Sequence, residues 1–65
     1  MIVGNIEIKD GFMFETVRAI AEESGVTDIN VIASVYEELY NKTTAQHKSW
    51  NCKMIDEILS LQQNN

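Results

Sequence analysis

The chain reads as a mainly α-helical domain in which a short N-terminal β-strand leads into three helices. Three observations point there. Phe14, Val17, Ile20 and Ala21 fall on one helical face, and after Gly25 the same spacing returns in Ile29, Ile32, Val35, Tyr36, Leu39 and Tyr40. Ile6-Glu7-Ile8-Lys9 alternates apolar and charged residues, the period of a half-buried strand. Sixty-five residues leave room for one domain, spanning 1–65.

The strand is expected over 2–9. Gly4-Asn5 can form a hairpin turn, but its first arm would be only Met1-Ile2-Val3. A lone strand must pair its backbone groups somewhere, and the same strand of a second copy is the economical partner. Asp10 is placed to cap a first helix over about 12–24. Within it, Arg18 stands three residues after Glu15 and four before Glu22, spacings worth a few tenths of a kcal/mol. Gly25 suits the left-handed residue that ends a helix. Val26 can then pack back on Ala21 and staple forward to Val31.

Thr27 is the expected cap of a second helix over about 28–41, with Asp28 favourably near its positive end. Asn30, Ser34, Glu37, Glu38 and Asn41 form a polar stripe. The wide apolar arc opposite marks a central helix with more than one neighbour. Asn41-Lys42-Thr43-Thr44 reads as a connector, and Thr43 or Thr44 can cap a third helix over about 45–62. Its expected apolar face is Trp50, Met54, Ile58 and Leu61, flanked by Ile55 and Leu59, and residues 62–65 form a polar tail.

A domain of this size buries a modest core and usually recruits disulfides, a metal or a second copy. Cys52 is the single cysteine, so no disulfide can form within the chain. A homodimer is therefore expected, with Ile6, Ile8, Tyr36 and Tyr40 at its seam. The hydrophobic and charged fractions, 45% and 23%, are those of a globular domain. No apolar run approaches the ~20 residues of a membrane span. Met1-Ile2-Val3-Gly4-Asn5 lacks the basic flank and apolar core of a secretion signal. With an unpaired cysteine these features imply the cytoplasm, including that of a host cell if the protein is virus-encoded.

Catalytic chemistry has no foothold. His47 and Cys52 are five residues apart, on different faces of a helix, and a structural zinc site needs four ligands. His47, Cys52 and Asp56 supply the residue types of a thiol nucleophile, a base and an orienting acid, but one helix does not converge them. The pairs Glu22-Glu23, Glu37-Glu38 and Asp56-Glu57 diverge around their helices. No enzyme, metal or cofactor is expected. Asn41-Lys42-Thr43 matches a glycosylation sequon, which means nothing without secretion.

Charge has two readings, a surface that keeps a small domain soluble and a face for a basic partner. The net charge is −5, and it is uneven. Residues 1–40 hold Glu7, Asp10, Glu15, Glu22, Glu23, Asp28, Glu37 and Glu38 against Lys9 and Arg18. Residues 41–65 hold Asp56 and Glu57 against three lysines. Nucleic-acid binding normally rests on a basic face, and the first forty residues have none. An acidic face of Glu22, Glu23, Asp28, Glu37 and Glu38 would instead meet a basic protein, itself of the kind that handles nucleic acid. Trp50 would either pack into the core, as in most small domains, or serve with the tyrosines as an anchor on the partner. The expected function is that of a small regulator or inhibitor that masks its partner.

Ala21-Glu22-Glu23-Ser24-Gly25-Val26-Thr27, with the strand before it, resembles the ribbon–helix–helix repressors over residues 5–41. The resemblance lies in a spacing, a glycine turn and a capped second helix. It implies a dimer whose paired strands enter the DNA major groove, with Asn5, Glu7 and Lys9 facing the bases. Glu7 and Asp28 depart from that pattern, because both would oppose phosphate.

Overall fold

A computed structural model of the chain describes residues 1–47 and 49–63. Lys48 and the end of the polar tail, Asn64-Asn65, lie outside the described residues. The order of elements is β1 (Ile2–Val3), β2 (Ile6–Glu7), α1 (Gly11–Glu23), α2 (Ile29–Gln46) and α3 (Cys52–Gln63). The mainly helical class holds, with a two-stranded hairpin in place of the single strand.

The hairpin corrects the expected strand partner. β1 and β2 pair antiparallel within one chain, Ile2 opposite Glu7 and Val3 opposite Ile6. Gly4 at φ 61° opens the two-residue turn, the conformation that a turn with glycine in its first position requires. The Ile8 amide adds a bond to the Met1 carbonyl at 2.7 Å. The strand's inner edge is therefore satisfied without a second copy.

Local signals set α1. The Asp10 side chain accepts from the Met13 amide at 3.1 Å, a cap three residues ahead. At the other end Gly25, at φ 87°, takes the left-handed conformation. The Gly25 amide donates to the Glu22 carbonyl at 3.0 Å and the Val26 amide to Ala21 at 2.8 Å. These two bonds close a Schellman motif, and Val26 is packed against the core.

The second and third helices depart from expectation. α2 is capped by Asp28 rather than Thr27, its side chain accepting from the Asn30 amide at 2.9 Å. The helix then runs through residues 41–44, read from sequence as a connector, and stops at His47 in the left-handed conformation. Thr43 explains the extension. It is buried, and its hydroxyl donates to the Leu39 carbonyl at 2.9 Å, so a polar residue continues the inner face of the helix without an unmet bond. α3 consequently starts at Cys52, where the Asn51 side chain accepts from the Met54 amide at 3.0 Å. Trp50 precedes the helix, and the buried face is Ile55, Ile58 and Leu59, while Leu61 points outward.

The core sits where the three helices meet. α1 contributes Met13, Phe14, Val17 and Ala21; α2 contributes Ile32, Ala33, Val35, Tyr36 and Leu39; α3 adds its three aliphatics and the hairpin side adds Ile8. α2 touches every other element. The Tyr36 ring meets Phe14 edge-on at a centroid distance of 5.8 Å, a favourable aromatic geometry. Its phenol oxygen accepts from the amides of both Lys9 and Asp10 at 3.0 Å, tying the β2–α1 junction to the central helix.

Candidate functional site

The helical framework divides the expected acidic face into two groups. Glu22, Glu23 and Asp28 flank the α1–α2 turn. Glu37 and Glu38 lie nine and ten residues beyond Asp28, about 14 Å further along the α2 axis at the helical rise. That separation exceeds the ~8–10 Å screening length at physiological salt. All five are exposed. Glu22 is met by Arg18 Nε at 3.4 Å, and Glu15 lies 4.0 Å from the same guanidinium. Among the described residues Glu23, Asp28, Glu37 and Glu38 have no ion-pair partner within 4.0 Å.

Glu37 has company that the sequence did not place beside it. A depression of about 160 Å³ between β2 and α2 is lined by Glu7, Lys9, Tyr36, Glu37, Tyr40 and Asn41. Residues expected at a dimer seam, at DNA and at a protein partner thus share one concavity. Tyr36 forms its buried base, 1% exposed, and the Tyr40 ring lies 5.8 Å from it by centroids. Glu7, Lys9, Glu37 and Asn41 are exposed at its rim. Lys9 forms no ion pair within 4.0 Å with either carboxylate. Asn5 lies apart, in the hairpin turn.

The seam expectation needs correction for two residues. Ile8 and Tyr36 are buried inside one chain, at 6% and 1% exposure, and have no surface left to offer a second copy. Ile6 and Tyr40 are half-buried.

Trp50 is neither a buried core residue nor a free anchor. It is half-buried against the core and stacks at a tilt on Phe12, with centroids 5.8 Å apart. Phe12 is 75% exposed. Sequence reasoning missed Phe12, although its place off the 14/17/21 stripe could have flagged it as an apolar residue facing away from the core. His47 ends α2 and Cys52 begins α3, so they flank a loop and do not share a helix as expected. Both are exposed. Among the described residues no group of three or more His, Cys, Asp or Glu is gathered to hold a metal ion. Nor is any helix there long and apolar enough to cross a membrane.

No protein family, curated protein or solved structure matches this chain. Any reading of function therefore rests on its own surface.

Proposed function

We propose that this protein is a non-enzymatic binding module that docks on a basic macromolecular partner, a nucleic-acid-handling protein in the first instance, and masks or modulates it. One observation carries the reading. Every acidic side chain except Asp10 is exposed, and among the described residues only Glu15 and Glu22 meet a cation. Unpaired carboxylates on a compact frame set up a negative field that steers a basic surface and is discharged on contact. The frame is small, 29 × 24 × 20 Å, which suits a cap placed over another protein's working surface.

The test is charge reversal on the outer face of α2. Partners are captured on the immobilised chain and identified, and the purified basic candidate is then titrated. Glu37→Lys with Glu38→Lys should weaken binding by tenfold or more, about 1.4 kcal/mol. Both positions are exposed, so the fold should survive. An unchanged Kd would refute the acidic-face reading.

The alternative is a dimeric DNA-binding repressor of the ribbon–helix–helix kind. A hairpin followed by helices is loosely compatible with it, and Asn5, Glu7 and Lys9 would then face DNA. Duplex titration at low and moderate salt separates the two, since a DNA binder loses affinity steeply with salt and weakens on Lys9→Ala. The homodimer now rests on size alone, because the hairpin closes within the chain. Light scattering on a sizing column decides it.

A further inference from the structure

We infer that the depression between β2 and α2 receives one guanidinium group, an arginine side chain of a basic partner. This deepens the binding-module reading and rests on it. Size comes first. The depression is small, about 160 Å³, and about half open to solvent. Pockets for cofactors and drug-sized ligands run from about 300 to 1,000 Å³. The depression is smaller than these and of a size that a single side-chain head fills.

Chemistry comes next. Glu7 and Glu37 approach the space from two different elements, one from the hairpin and one from α2. A planar group with donors in several directions can meet both carboxylates at once, and a guanidinium presents five donors in a fixed fork. Tyr40, half-buried at the edge of the space, supplies an aromatic surface on which a guanidinium rests favourably by cation–π attraction, while the buried Tyr36 ring behind it holds that surface in place. Asn41 adds an amide whose oxygen can accept a further bond.

Lys9 decides the direction of the test. It shares the lining but neutralises neither carboxylate within 4.0 Å. Its charge therefore opposes an incoming cation. Removing it should strengthen arginine binding, whereas a DNA-reading ribbon would lose affinity.

The experiment uses the whole chain and Nα-acetyl-arginine amide as the probe, read by amide chemical shifts in heteronuclear NMR. Nα-acetyl-citrulline amide is the uncharged isostere. Saturable shifts confined to Glu7, Lys9 and residues 36–41 are expected with arginine and not with citrulline. Glu7→Gln with Glu37→Gln should abolish them, and Lys9→Met should tighten binding about twofold or more as the competing charge leaves. Should the double variant misfold, Lys9→Met alone decides by the direction of its change. Shifts that never saturate, that appear equally at Glu22, Glu23, Asp56 and Glu57, or that citrulline reproduces would overturn the inference. Partner binding lost on Glu37→Lys with Glu38→Lys, while the arginine probe finds no site, refutes the inference and leaves the module reading intact. A probe that saturates the depression while charge reversal leaves the partner's Kd unchanged would show a guanidinium site that the partner does not use, and would overturn both the inference and the acidic-face reading.

Discussion

Replacing Tyr36 with phenylalanine removes a single oxygen on which two backbone amides depend. The Lys9 and Asp10 amides both donate to that phenol at 3.0 Å. The ring itself stays, so the packing on Phe14 and the filled volume are kept. An ordinary hydrogen bond contributes about 0.5–1.5 kcal/mol net, and a donor left stranded out of water costs about 1–3. Both bonds are part-buried, with Lys9 exposed and Asp10 half-buried, so water recovers some of the loss. The expected total is about 2 kcal/mol. A chain of this length has roughly 3–10 kcal/mol of stability in all, so the change is large. Urea denaturation followed by circular dichroism should show a lower midpoint with an unchanged slope. Thermal melting should shift down by about 8–16 °C. Tyr40→Phe is the internal control, because the Tyr40 hydroxyl makes no hydrogen bond to the described residues. It should stay within about 0.5 kcal/mol of the parent. If Tyr36→Phe cost no more than Tyr40→Phe, the junction would not depend on the phenol and the reasoning would be wrong.

Gly25→Ala tests the α1 stop. The added Cβ meets nothing within 4 Å, so the expected loss of about 1 kcal/mol by chemical denaturation is purely the strain of φ 87°. His47→Gly should move stability the other way. Relief of a left-handed non-glycine residue at φ 51° exceeds the added entropy of the unfolded chain, for a gain of about 0.5 kcal/mol. Asn51→Ala should cost about 1 kcal/mol through loss of the α3 cap, and Asn51→Asp should retain most of it, both read as midpoint shifts in urea.

The parts of the fold that were legible in the sequence are those encoded by neighbours. Asp10, Gly25 and Val26 act within a few residues of where they stand, so the limits of α1 could be read directly. The end of α2 could not. Residues 41–44 have the composition of a connector, and only the three-dimensional fact that Thr43 faces inward, with its hydroxyl satisfied by the helix's own carbonyls, makes them helical. That extension pushed the start of α3 past Trp50 and rotated its buried face onto Ile55, Ile58 and Leu59. The hairpin arms are two residues each, too short for alternation to separate pairing within the chain from pairing between copies. The acidic side chains were visible as charges, but the depression was not. Glu7 and Glu37 are thirty residues apart, and they line one depression only because the hairpin packs on α2.

That central position of α2 has a consequence for how the molecule comes apart. β1, β2, α1 and α3 all lean on it, and its inner face carries Ile32, Val35, Tyr36 and Leu39 to them together. Without this helix only the packing of α1 on α3 and of β1 on β2 remains. Local fraying can take the hairpin or the tip of α3, but the middle of α2 opens only when the whole chain does. Its amides should therefore report the global unfolding free energy in hydrogen exchange, while those of the hairpin exchange through smaller openings. A chain cut within α2 would divide the one face on which every other element packs.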